Sequence, residues 1–238
     1  MNAQPSLVHM GELERALFDP GTTLLDVRSP SEFKEDHVPG ALNVPVLDDA
    51  QRAEVGTQYV QGSQHQARLI GASMASANIA QALGTQDVFR NRDNKFLVMC
   101  FRGGLRSEAM ALVLKEVGFP VQKLAGGYKA YRASLRERLA TVPRLKALVV
   151  MGPTGSGKSR VLRTLAAKGR PFIDLEAHAG HRGSRFGPIG LSPRRQKVFE
   201  SKLWWDVVRF ERLLSTNSPL KAPPVLLEGE SMRIGNCY

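Results

Sequence analysis

KFLVMCFRGGLRS, residues 95–107, is an apolar run that ends in a cysteine and turns through Gly-Gly toward a helix. A short apolar run bounded by turn residues reads as a strand buried on both faces, the kind found in parallel sheets. About fifty residues on, KALVVMGPTGSGKS at 146–159 repeats the layout: apolar strand, glycine-rich turn, helix start. The first turn carries a thiol and the second a lysine and a serine. The pairing implies sulfur-type chemistry coupled to a phosphorylated ligand.

Working outward, TTLLDV at 22–27 is a second buried strand. Ser29-Pro30-Ser31, with Glu32 one position on, opens a short helix after it. HVPGALNVP at 37–45 is a shaped loop with a short extended piece, and the Ala-rich stretch 63–83 is a helix. A helix over 106–117 is expected to bury Ala109, Leu112, Val113 and Val117 on one face, with Gly118 as its C-terminal cap. VQKLAGGYKAY adds a strand and a turn, and SLRERLATVPRLK at 134–146 reads as a connecting helix ended near Pro143. In the second half the expected order is strand 146–151, a helix to about Lys168, strand PFIDLE at 171–176 and a Gly-rich basic loop at 177–192. A helix from Pro193 to about Ser215, with Val198, Leu203, Val207, Phe210 and Leu214 in its core, and strand PVLLEGES at 224–231 complete it. Strands alternating with helices predict parallel sheets with right-handed crossovers in two units, 1–138 and 139–238.

A cysteine at the end of a strand, followed by a Gly-Gly turn into a helix, sits in a ring of backbone N–H groups. Those donors and the positive helix end favour a thiolate or a terminal persulfide anion. Arg102 and Arg106 add positive charge, and Gly103 and Gly104 let amides point inward. Cys100, Arg102, Gly103, Gly104 and Arg106 are therefore the candidate catalytic set.

Gly152, Gly157, Lys158 and Ser159 satisfy the phosphate-loop pattern between a strand and a helix. With Thr154, Gly155 and Ser156 they form the candidate ligand-binding set. The N–H groups wrap a phosphate, Lys158 neutralises it, and Ser159 is placed to hold Mg²⁺. The motif speaks for phosphate or pyrophosphate binding, not for hydrolysis. Glu228 and Glu230 are equally placed as the acid that would organise a metal, and no resident metal site is assigned.

The net charge of +11 is unevenly placed. Residues 1–140 hold 16 Lys/Arg against 15 Asp/Glu, and residues 141–238 hold 17 against 7. The excess in the second half favours a polyanion such as RNA, or is a solubilising surface. Arg182, Arg185, Arg194, Arg195 and Lys197 are the expected RNA contacts. No run of apolar residues is long enough for a membrane span. The N-terminus lacks the pattern of a secretory signal, and two cysteines do not make a disulfide framework, so a reducing cytoplasm is the expected compartment.

LLDVRSPSEFKEDHVPGALNVP resembles the first signature of the rhodanese family, with Asp26, Arg28, Glu32, Phe33, His37, Pro39, Gly40 and Asn43 in place. GFPVQKLAGGYKAY resembles its closing signature. The resemblance implies that Cys100 carries a transferable chalcogen, and that Asp26, Arg28 and His37 hold the fold and the loop. Five residues separate Cys100 from Arg106, where sulfurtransferases often have four. Rhodanese-fold phosphatases share the longer loop, so a sulfurtransferase or a phosphatase fused to a nucleotide-binding P-loop unit stays open as the alternative. A nucleoside-phosphate kinase fused to such a phosphatase, and an RNA-binding protein with an inert rhodanese scaffold, are further readings.

Both loops in this order, with RAEVGTQYVQ at 52–61, DLEAHAGHRGSRFG at 174–187 and EGESMRIG at 228–235, resemble the bacterial tRNA 2-selenouridine synthase family. That family continues for many residues beyond EGESMRIG. The resemblance implies a tRNA-modifying transferase that replaces the sulfur of wobble 2-thiouridine by selenium from selenophosphate, through an S-geranylated intermediate. It implies tRNA, selenophosphate and geranyl diphosphate as substrates. Motif chemistry and resemblance together place the prenyl diphosphate on the P-loop.

Overall fold

The computed structural model describes residues 5–141, 145–153, 155–182, 187, 189–215, 223–229 and 234–237. The chain divides into two compact units, Met1–Ser134 and Leu135–Tyr238.

The first unit runs β1 (Ser6–Val8), α1 (Met10–Leu17), β2 (Thr22–Asp26), α2 (Pro30–Glu35), β3 (Leu42–Asn43), α3 (Asp49–Gln61) and α4 (Gln64–Thr85). Then come β4 (Lys95–Met99), α5 (Leu105–Val117), β5 (Val121–Leu124) and α6 (Gly127–Ala140), which runs past the boundary. The sheet order is β1-β5-β4-β2-β3, every pair parallel. β4 lies at the centre, with Leu25 opposite Val98 on one side and Val98 opposite Lys123 on the other. Its four apolar residues after Lys95 are fully buried, which is why the run has no polar alternation. Because β4 is central, the cysteine that follows it opens at the carboxyl edge of the sheet, where open α/β sheets place ligands.

The helix starts follow the sequence chemistry. Ser29 and Glu32 close a capping box on α2, with Pro30 at the first position, and Gly118 ends α5 in the left-handed region at φ 105°. Two expectations are corrected. The buried side of α5 is Ser107, Met110, Ala111 and Leu114, while Leu112 is 42% exposed and Val117 59%. The segment EAMALVLKEV is apolar almost all round, so its periodicity does not choose a face; packing on β4 and β5 does. The helix after β5 begins at Gly127, not near 134, because Tyr128, Tyr131 and Leu135 form a buried stripe at helical spacing. Pro143 lies outside the described residues.

The second unit runs β6 (Ala147–Val150), α7 (Lys158–Ala167), β7 (Phe172–Ile173), α8 (Leu175–Ala179), α9 (Gln196–Ser215) and β8 (Val225–Glu228). Its parallel sheet has the order β6-β8-β7. PFIDLE is strand only over Phe172–Ile173. Asp174 accepts from the Ala177 N–H and starts α8 instead, as a capping residue does. On α9, Val207 and Phe210 are buried and Leu203 and Leu214 pack against their cluster; Phe199, Trp204 and Val208 are buried as well. Among the described residues, no helix is long and apolar enough to cross a membrane.

Candidate functional site

In the first unit, Cys100 follows β4 directly and is 3% exposed. Its Sγ lies 3.3 Å from Ser107 Oγ and 3.9 Å from Gly104 O, and Ser107 Oγ also donates to Gly104 O at 2.9 Å. Gly104 is the N-cap of α5, so the sulfur stands at the positive end of that helix. Among the described residues, the N–H groups of Phe101, Arg102, Gly103 and Gly104 donate to no protein acceptor. The loop therefore keeps unpaired N–H groups in the residues that follow the thiol, while Sγ itself meets Ser107 Oγ and Gly104 O.

The turn after β5 holds this loop. Gly126 and Gly127 adopt φ of 70° and 55°, and a Cβ on Gly127 would come within 2.1 Å of Cys100 O and 2.7 Å of Gly103 N. A Cβ on Gly103, at φ 70°, would come 3.0 Å from Leu124 O and 3.1 Å from Gly126 N. Tyr128 N–H and Lys129 N–H donate to Cys100 O and Phe101 O, both at 2.9 Å. Two glycine turns thus clasp each other, and neither tolerates a side chain at the contact.

The two arginines of the loop part ways. Arg102 is exposed, its guanidinium 5.9 Å from the Phe101 ring. Arg106 donates to Glu32 at 2.6 Å, and Glu32 also meets Arg52 at 3.1 Å. Burial works against the charge of Glu32, but the Arg106 hydrogen bond and the two cations hold its carboxyl below the usual range. Arg106 therefore braces the loop against α2, and its charge is shared with Glu32.

Two further groups lie near Cys100. Lys123 on β5 is buried and paired with Glu108 of α5. Burial pushes its ammonium below the usual lysine value, against the opposing pull of a charge on Cys100. Beneath the loop, Arg28 donates to Asp26 at 2.6 Å and to Asp36 O at 2.8 Å, and lies 3.9 Å over the Tyr128 ring. Tyr128 Oη donates to Asp36 at 2.8 Å, and burial first, then the Asp36 charge, pushes its phenol well above the ordinary value. His37 stacks on Phe33 and bonds Phe33 O through Nδ1. Asp26, Arg28 and His37 thus hold the frame.

In the second unit the P-loop leads from β6 into α7, with Gly157 at φ 86° as the N-cap. Gly155 is also left-handed, at φ 81°. Lys158 Nζ donates to Gly152 O at 2.8 Å and Pro153 O at 3.1 Å, folding over its own loop. Ser159 Oγ donates to Glu228 at 3.0 Å, and Lys158 lies 3.8 Å from the same carboxylate. Val150 pairs with Glu228 across β6 and β8, which brings this acid to the loop. Ser156 lies in the turn between Pro153 and Gly157, its N–H donating to Pro153 O at 3.3 Å. Thr154 and Glu230 lie outside the described residues. Ser159 with Glu228 is the pair suited to a hydrated Mg²⁺ beside a bound phosphate. Among the described residues, no group of three His, Cys, Asp or Glu is gathered for a metal.

The rhodanese-like domain model matches residues 9–134. The chain belongs to the rhodanese-like family. Residues 145–238 match the model of the tRNA 2-selenouridine synthase AAA domain. Among curated relatives, a tRNA 2-selenouridine synthase of Nitrosomonas europaea is 37% identical over 94% of this chain and 57% of its own length. One of Cupriavidus necator is 41% identical over 82% of this chain and 53% of its own. The chain spans little more than half the length of these relatives. The solved N-terminal domain of a putative ATP/GTP binding protein from Clostridium difficile 630 is 33% identical, covering 55% of this chain and 98% of that one, with a TM-score of 0.48.

Beyond the rhodanese-like unit, the expected RNA contacts divide. Arg182 and Arg195 are exposed. Arg194 is committed to the fold: its guanidinium donates to Ala177 O at 2.6 Å, at the C-terminal end of α8. Lys197 is half-buried, and Arg185 lies outside the described residues.

Proposed function

We propose that the chain is a tRNA-modifying transferase that exchanges the sulfur of a wobble 2-thiouridine for selenium, with selenophosphate as donor and an S-geranylated nucleoside as intermediate. The carrying observation is the pair of built loops on one chain: unpaired N–H groups in the turn that follows Cys100 in the rhodanese-like unit, and Lys158, Ser159 and Glu228 at the P-loop. The relatives' name and the family match of the second unit support the same reading.

The P-loop is suited to the diphosphate of geranyl diphosphate. Lys158 would leave its own carbonyls for the phosphates, and Ser159 with Glu228 would hold Mg²⁺, which neutralises the diphosphate as it departs. Attack by the thiouridine sulfur on the prenyl carbon then breaks the carbon–oxygen bond. The alkylated sulfur becomes a leaving group. The selenium of selenophosphate, held beside Cys100, attacks the base carbon and expels the geranyl thiolate. Water then attacks the phosphorus, the P–Se bond breaks, phosphate leaves and the electron pair stays on the selenium of the base. Arg182 and Arg195 are the exposed cations assigned to tRNA phosphates. A cytoplasmic setting, where thiols stay reduced and tRNA is at hand, fits this chemistry.

The test incubates the protein with tRNA bearing 2-thiouridine, geranyl diphosphate and selenophosphate, and reads the nucleosides by mass spectrometry. 2-Selenouridine is the expected product. Unchanged thiouridine, together with phosphoester hydrolysis that depends on Cys100, would replace this reading by the phosphatase one.

A further inference from the structure

Beside the Cys100 loop the rhodanese-like unit holds a groove of about 1060 Å³. It lies between α3, α4 and the start of α5, at the upper end of the roughly 300–1,000 Å³ typical of small-ligand sites. Its walls are apolar: Val55, Tyr59 and Val60 of α3, Ala72 and Ala75 of α4, and Leu105, Ala109 and Leu112 of α5. Leu105 is the first helical residue after the Cys100 loop, and Val55, Ala75 and Ala109 belong to or pack on the core cluster that includes Cys100. Val60 is 82% exposed and Leu105 71%, a concentration of open apolar surface on a charged chain. Ala109 and Leu112, which sequence periodicity assigned to the core, line this groove.

Cations stand on the rim. Arg52 and Arg106 share the single carboxylate of Glu32, and Arg68 is exposed on α4. Glu108, also on the wall, is matched by Lys123. The rim is therefore net positive around an apolar trough. The chemistry that fits both is an apolar chain attached to an anionic body.

Resting on the function proposed above, we infer that this groove seats the geranyl chain of the S-alkylated thiouridine while its RNA backbone lies on the Arg52, Arg68 and Arg106 rim. The chain's burial would fix the base carbon beside Cys100, so the groove selects the alkylated nucleoside over its parent for the exchange step. The occupant is the chain carried by RNA, not the free prenyl diphosphate, which belongs to the P-loop.

The experiment measures binding of the full chain to an anticodon stem-loop carrying S-geranyl-2-thiouridine and to the same RNA carrying 2-thiouridine. The wild type should prefer the geranylated RNA by at least about tenfold, since each buried methylene is worth a factor of about three to four. Ala72→Trp, which fills the groove from an exposed helix position, and Leu112→Asp, which charges its wall, should each erase that preference and leave binding of the thiouridine RNA unchanged. Circular dichroism checks that both variants are folded. Equal wild-type affinity for the two RNAs overturns the proposal, as does a preference that survives in both folded variants. Free geranyl diphosphate that abolishes the preference by competition would reassign the groove to the prenyl donor and also overturn it. Nucleoside products are read in parallel samples supplied with geranyl diphosphate and selenophosphate: a wild type that prefers geranylated RNA yet makes no selenouridine fails the proposed function while sustaining the groove.

Discussion

The two loops share one plan, strand to glycine turn to helix, and differ in how the rest of the chain treats them. The Cys100 loop is sealed. Its sulfur is 3% exposed, its backbone is clasped by Gly126 and Gly127, and Arg106 is tied to Glu32. The P-loop is open: a Cβ at Gly155 or Gly157 would meet nothing within 4 Å, and Lys158 covers the loop only with its own side chain. The difference is chemical. Under the proposed function the Cys100 loop would hold a reactive chalcogen, which needs protection from water, and the P-loop a diphosphate, which must enter and leave.

The strongest way to break this comparison is a matched pair of glycine substitutions. Gly127→Ala should cost at least about 4 kcal/mol of first-unit stability, because its Cβ would sit 2.1 Å from Cys100 O in a left-handed residue. Gly155→Ala, at φ 81° with open space around it, should cost only about 1–2 kcal/mol of backbone strain. Urea unfolding followed separately for the two units measures both. Similar losses would remove the distinction between a sealed and an open loop.

Next in size is Lys158→Ala. It removes the one side-chain cation on the P-loop and should weaken geranyl diphosphate binding by about 1.5–3 kcal/mol. Calorimetry with geranyl diphosphate and with ATP reads it. Tight ATP binding with turnover and no prenyl binding would make the second unit a nucleotide enzyme.

The smallest effect concerns the brace. Glu32→Gln should cost about 1–2 kcal/mol near neutral pH, as expected for a part-buried, charge-assisted contact. Because the folded carboxyl titrates below its ordinary value of 4.5, the charged form is what stabilises the fold. The wild-type advantage should thus be full above that value and fade as pH falls through the lower folded one. An advantage that does not change with acid would show that the Arg106–Glu32–Arg52 contact contributes nothing through charge.

Much of this arrangement is legible in the sequence, and the limits are physical. Strands β2, β4 and β8 announce themselves as apolar runs because they are largely buried, whereas β6 is equally apolar yet lies at the edge of its sheet with Leu148 and Val149 half exposed. β1 and α1 escape: three residues of SLV hold too little periodicity, and pairing with β5 supplies the reason for a strand. Motifs locate Cys100, Lys158 and Ser159 because local turn geometry demands those residues in that order. Nothing local ties Gly127 to Cys100 O, Lys123 to Glu108, or Glu228 to Ser159. Those contacts depend on strand register. The groove is hidden for a related reason: Leu112 looks like a core residue until the packing of α5 shows which apolar face is left uncovered.

Under the proposed function the two loops serve successive steps, so loss of each should stop the reaction at a different nucleoside. Wild type, Cys100→Ser and Lys158→Ala are each supplied with 2-thiouridine tRNA, geranyl diphosphate and selenophosphate, and the nucleosides are resolved by mass. Cys100→Ser should accumulate the S-geranylated nucleoside without 2-selenouridine, and Lys158→Ala should leave most thiouridine unchanged. 2-Selenouridine formed by Cys100→Ser at the wild-type rate would contradict the account.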